Sequence, residues 1–159
     1  SHYLQGRRYL LNVVEQDGPA SVQIVSDKIE LRIRPGADRG DREAALLRWY
    51  RHRLREQIPK LLSKWQPRVG VEVAEVRIKK MKTLWGTCNS EAKRIWLNLE
   101  LIKKPAPCLE YILVHEMVHF LERHHNDHFH ELMDELMPQW QIHREKLNSS
   151  PLAHEEWKY

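Results

Sequence analysis

The chain has 159 residues and a mass of 19.1 kDa, room for one domain with a proper core and too little for two of ordinary size. Apolar residues make up 42% and charged residues 30%, and no apolar run approaches the ~20 residues of a membrane-spanning helix, which reads as a soluble globular protein. A net charge of +4 and an isoelectric point near 9.1 favour acidic partners but fall far below the charge density of a dedicated nucleic-acid arm.

Two cysteines, Cys88 and Cys108, allow at most one bridge, and a chain of this size needs no staple, so a reducing, cytoplasmic setting is expected. The first residues, SHYLQGRRYLL, have neither an initiating Met nor the plan of a signal peptide, and the natural N-terminus is expected upstream. From Arg8 to Arg34, β-branched runs broken at Asp17-Gly18-Pro19 and Ser26-Asp27 predict three short strands. In the third, Ile29, Leu31 and Ile33 alternate with charged residues, the pattern of a half-buried antiparallel strand, and Pro35-Gly36 ends it.

Between Asp41 and Trp65, Leu47, Tyr50, Leu54, Ile58, Leu61 and Trp65 recur at spacings of three and four, which predicts one long amphipathic helix kinked at Pro59. Its opposite face, with Arg48, Arg51, Arg53, Arg55 and Lys60, reads as solvated. Two further strands are expected at 71–79 and 94–101, joined by a loop around Trp85-Gly86-Thr87-Cys88; in the second, Ile95, Leu97, Leu99 and Leu101 form the inner face. Pro105 and Pro107 precede a helix from Cys108 to Arg123, and a last helix begins near Asp127 and closes at Pro138 on a stripe of Phe129, Leu132, Met133 and Leu136. No repeat or low-complexity tract is present. The expected organisation is a single domain over 1–159, with a sheet segment at 1–36, a core at 41–140 and a C-terminal tail at 141–159.

Six of the ten histidines fall within positions 115–130. His115 and His119 are four apart, about 40° around a helix, so both imidazoles project from nearly one side. Glu116 follows the first directly, where the H-E-x-x-H pattern sets a carboxylate able to take a proton from metal-bound water. On a helix carrying Ile112, Met117, Val118, Phe120 and Leu121, two histidines and a glutamate are costly to bury without a shared purpose. Catalytic zinc takes three protein ligands, and His125 is the expected third, six residues after His119. A continued helix would aim it away, so a turn must intervene; Glu122 stands where metzincins have Gly. Glu131 or Glu135 is the alternative third ligand, while His124, His128 and His130 read as substrate-facing, supporting or solvated.

The order LWGTC, RIWLNLELIKKP, LEYILVHEMVHFLERHHNDHF and MPQW resembles the YgjP-like metallopeptidase family, metal-dependent hydrolases related to SprT-like proteins and minimal gluzincin-type zincins, over roughly Arg42 to Trp140. Trp85, Gly86, Thr87 and Cys88, with Thr87 where Ser is usual, Asn98, His115, Glu116, His119, His125 and Phe129 match its motifs. The resemblance implies an α+β, small zincin-like fold: a short antiparallel sheet packed on the H-E-x-x-H helix, plus the long amphipathic helix. The 94–101 strand would border the cleft as an edge that an extended peptide could join. Trp85 and Gly86 would be structural, and Cys88 as a blocking thiolate ligand is the minor alternative. The expected function is zinc-dependent hydrolysis by metal-activated water, with His115, His119 and His125 holding one Zn2+, Glu116 as general base, and Tyr111, His124 or His128 as oxyanion donors. A peptide or protein substrate comes first. The rivals are a nucleoside triphosphate received by RIKKMK with Lys93 and Arg94, and a non-catalytic, zinc-stabilised, DNA-associated module; no membrane partner is expected.

Overall fold

The computed structural model describes residues 2–149. The N-terminal region forms β1 (His2–Leu4), β2 (Arg7–Glu15), β3 (Ser21–Val25) and β4 (Lys28–Ile33), in the sheet order β1-β2-β4-β3. The antiparallel strand expected over Ile29–Ile33 is β4, which pairs antiparallel with β3, while its other neighbour, β2, runs parallel to it. The reason lies in burial, since Ile29, Leu31 and Ile33 are the most deeply buried strand face of this region and β4 takes the inner position, leaving half-buried β3 at the edge. The β1–β2 turn is Gln5-Gly6, both at positive φ, and its backbone N–H groups donate to Ile102 O and Lys103 O, fastening this sheet to the rest of the molecule.

Helix α1 (Arg39–Val69) starts at Asp38, whose side chain and that of Asp41 cap one another's backbone, and ends at Gly70 in the left-handed region. It runs through Pro59 and Pro67 as one element. Its buried stripe is anchored on Leu46, Tyr50, Leu54, Ile58, Trp65 and Val69; Leu47, expected there, is exposed, because the succession of four-residue steps selects Leu46. Among the basic residues opposite, Arg51 donates to Ile78 O and Arg53 lies over the Trp49 ring.

The second sheet comprises β5 (Glu75–Lys79), β6 (Gly86–Asn89) and β7 (Arg94–Asn98), in the order β5-β7-β6, with β5 and β7 parallel. Two expectations change. The segment at 86–89 is a strand rather than a loop, and it and β5, not the 94–101 strand, are the outer strands, because β7 with its fully buried Ile95 and Leu97 occupies the centre. The expected extension to Leu101 is instead a 3-10 helix, Leu99–Lys103, initiated by the side chain of Asn98 accepting from Glu100 N–H. That buried amide also accepts from Met81 N–H and donates to Met81 O and Leu84 O, pinning the 81–85 loop that leads into β6.

Helix α2 (Ala106–Val118) is buried on nearly all sides and ends five residues before the expected Arg123. Helix α3 (Asp127–Leu136) is capped by Asn126 accepting from Phe129 N–H. Where a tail was expected, α4 (Trp140–Asn148) packs beside α2 with Leu147 fully buried; residues 150–159 lie outside the described residues. One buried cluster reaches from Leu4 to Leu147 and includes most of α2. Among the described residues, no helix is long and apolar enough to cross a membrane.

Candidate metal centre

The site is assembled where α2 stops. His115 and Glu116 stand on its last turn, and His119 is the residue that caps it. The backbone N–H groups of Phe120, Leu121 and Glu122 turn back onto Met117 O and Val118 O, so the chain leaves the helix in a tight turn instead of carrying His125 away from His119. Asn126 then starts α3, and His125 just before it folds over the two helix histidines.

The three Nε2 atoms form a nearly equilateral triangle: 3.2 Å from His115 to His119, 3.0 Å from His119 to His125 and 3.1 Å from His125 to His115. Imidazole nitrogens bound tetrahedrally to zinc at roughly 2.0–2.1 Å stand about 3.3 Å apart, so the spacing already suits such an ion. Protonation fits as well. His119 Nδ1–H donates to Glu122 O at 3.0 Å, which leaves its Nε2 lone pair facing the other two rings. Burial, followed by the neighbouring histidines, holds His115 well below the ordinary imidazole value; burial also lowers His119 and His125, so neutral ligand forms prevail. Among the described residues, these three form the group whose donor atoms could hold a metal.

Two neighbours shape the triangle. The Phe129 ring, 1% exposed, lies 4.9, 4.7 and 5.0 Å from the centroids of His115, His119 and His125. Glu116 is 3% exposed, and burial pushes its carboxyl up to about 8 against a hydrogen bond from the Cys88 thiol. Strand β6 passes directly over this turn. A Cβ on Gly86 would come within 2.9 Å of Ile112 Cγ2 and 3.3 Å of Glu116 Cγ, and Ser90 Oγ donates to His119 O at 3.4 Å, so the strand runs from the level of Glu116 to that of His119. Between them opens a cleft of about 800 Å³, lined by Gly86 to Glu91 from the strand side and by His115, Glu116, His119 and His125 from the helix side.

A profile of the family described as "YgjP-like, metallopeptidase domain" matches residues 1–150. The chain belongs to the YgjP-like family. No curated protein matches it. Among solved structures, the crystal structure of the metallopeptidase zymogen of Pyrococcus abyssi abylysin is similar, with a TM-score of 0.53 and 19% identity over 57% of this chain and 91% of that one, a likeness of fold.

Within this YgjP-like domain the remaining expected residues separate cleanly. Glu131 and Glu135 are exposed on α3 and do not join the histidine triangle. Burial, then the charge of Glu116 and a hydrogen bond to it, push the Cys88 thiol up to about 12, which opposes the thiolate a metal ligand needs. Tyr111 is fully buried, stacked on Trp140 and edge-on to His115, away from the cleft lining, so it is not placed as an oxyanion donor. His128 Nδ1 pairs with Glu122 at 3.1 Å, His130 stacks on Trp140, and His124 is exposed outside the cleft lining. Sequence reasoning missed the carbonyl of Glu122, for which no side-chain signal exists, and the placement of Phe129 under the rings, which its position in an apolar stripe disguised as ordinary core.

Proposed function

We propose that this YgjP-like protein is a zinc-dependent peptidase in which His115, His119 and His125 hold the ion and Glu116 is the general base. The observation that carries the reading is the triangle of Nε2 atoms at 3.0–3.2 Å beside a buried carboxyl, in a cleft bordered by an outer strand of the sheet. Zinc, when bound, supplies Lewis acidity towards a carbonyl and towards water. The protein supplies the rest. An extended peptide adds alongside β6, an outer strand of its sheet, whose backbone groups hold it in register beside the histidines. Glu116, whose ionised form the charge of a bound zinc would favour against burial, takes a proton from the attacking water at a carboxylate oxygen and returns it to the leaving amine nitrogen. The Cys88 thiol donates to that carboxylate and orients it, while Glu122 O keeps the His119 ring turned inward.

The nucleotide alternative finds little support. Among the described residues lining the cleft, Arg123 is the one Lys or Arg; Lys93 lies over the ring of cleft-lining Phe120, Arg77 and Lys79 lie over the Trp96 ring, and Arg94 pairs with Glu75. Among the described residues that line the cleft, nothing specifically favours DNA association. The test measures metal content and hydrolysis of a peptide mixture together. Wild type and Glu116→Gln are expected to hold one zinc per chain, with turnover about 10²–10⁴-fold lower in the variant, and His119→Ala is expected to hold none. A Glu116→Gln protein that cleaves at the wild-type rate, or a wild type that retains no metal after dialysis, would overturn the proposal.

A further inference from the structure

Two large apolar side chains of the cleft are left facing water: Leu84 is 43% and Leu121 is 48% exposed, and both line it. Neither stands on loose backbone. Leu84 O accepts from the buried Asn98 amide at 2.7 Å, and Leu121 N–H donates to Val118 O in the turn whose next carbonyl, from Glu122, holds His119. The bonds that build the metal site therefore also present these side chains to solvent at fixed positions. Exposed apolar surface in a polar-rimmed cleft marks the place of an apolar ligand group.

Their placement along β6 assigns them to different parts of a substrate. The Gly86 end of the strand lies against Glu116 and the Ser90 end against His119. Leu84 lies two residues beyond the first end, and Leu121 lies two residues past His119 at the other, beside the half-buried Phe120. His115, Glu116, His119 and His125 line the same cleft as these two leucines. A peptide paired antiparallel to β6 would run from the Ser90 end towards the Gly86 end. Resting on the peptidase reading above, we propose that the substrates are extended peptides with large apolar side chains on both sides of the cleaved bond, the N-terminal one met by Leu121 and Phe120 and the C-terminal one by Leu84.

The test digests a proteome-derived peptide mixture with zinc-loaded wild type, Leu84→Lys and Leu121→Lys, and reads the cleavage sites by mass spectrometry. Wild type is expected to enrich Leu, Ile, Met and Phe on both sides. Leu84→Lys should shift the C-terminal side alone towards acidic residues and Leu121→Lys the N-terminal side alone, each lowering kcat/KM for a doubly apolar peptide by roughly 10-fold. Because both side chains are exposed, zinc content and Tm should match wild type, which separates a lost contact from a lost fold. Cleavage without apolar enrichment, or with the two variants acting on the opposite sides, overturns the specificity inference and leaves the peptidase reading standing. No cleavage by wild type of any peptide overturns both.

Discussion

Gly86 offers the sharpest probe of how the strand and the helix share the site. A methyl group added there would sit 2.9 Å from Ile112 Cγ2, 3.2 Å from Trp96 O and 3.3 Å from Glu116 Cγ. Ile112 is fully buried and branched at Cβ, so its Cγ2 cannot swing clear by a rotamer change alone, and Trp96 O belongs to the partner strand of β6. The strain must be relieved by moving β6 away from α2 or by displacing the Glu116 side chain. Overpacking of this kind costs about 1–3 kcal/mol, which for a chain of this size lowers Tm by roughly 2–10 °C. A base displaced by several tenths of an ångström should lose more in rate than in stability, on the order of 10–100-fold in kcat. The histidine triangle does not touch Gly86 through these contacts, so zinc content should stay at one per chain.

Ile112→Ala alone removes buried volume and costs roughly 2–5 kcal/mol, but in the double variant the added methyl enters the space left by Cγ2. The coupling between the two changes is then expected to be favourable by about 1 kcal/mol, measured by denaturant unfolding of all four proteins. Additive effects, or a Gly86→Ala protein with wild-type kcat, would show that the close approach of β6 to Glu116 has no part in positioning the base.

The remaining predictions concern the floor of the triangle and the packing of α2 against α1. Phe129→Leu should keep the fold while loosening the three imidazoles, raising the zinc dissociation constant about 10–100-fold in chelator competition; Phe129→Ala should cost roughly 3–5 kcal/mol of stability as well. Unchanged zinc affinity in the Leu variant would reduce the ring to plain core. For Glu110, burial raises the carboxyl, but Lys64 Nζ at 2.8 Å and Trp65 Nε1 at 2.7 Å outweigh it and leave the group below the ordinary range. Its contribution is therefore present above the unfolded value near 4.3 and is lost as pH falls through the folded value. Glu110→Gln should cost about 1 kcal/mol at pH 7, discounted for the exposed Lys64, and converge on wild type once the pH has fallen below the folded value; a difference that stays constant as the pH is lowered would refute the assignment.

What could be read from the sequence divides along physical lines. The long helix and the α3 stripe repeat their apolar residues over several turns, and β4 alternates through Ile29, Leu31 and Ile33, so their existence was legible even where boundaries moved. Strand β6 was not, because Gly-Thr-Cys-Asn carries no apolar alternation; what makes it a strand is the pairing of Gly86 with Leu97 and Cys88 with Ile95, a tertiary fact. The same cause explains the misassigned edge. The alternation in β7 reveals which face is buried and says nothing about how many neighbours the strand has, so central and edge positions look alike until β6 is found.

At the metal centre the division falls between side chains and backbone. The spacing of His115 and His119 follows from helix geometry and needs no structure, whereas His125 needs a turn, and that turn is held by backbone bonds from Phe120, Leu121 and Glu122 to carbonyls of α2. Glu122 occupies a position where a metzincin-like turn would ask for Gly, yet it serves through its carbonyl, which turns the His119 ring, and through its carboxylate, which meets His128 at 3.1 Å. A sequence pattern records the first contribution not at all and the second only as one acid among many. In a chain this small, the ligands can be read as letters, but the angles that make them a site come from carbonyl groups every residue possesses, and only the folded chain decides which of them are used.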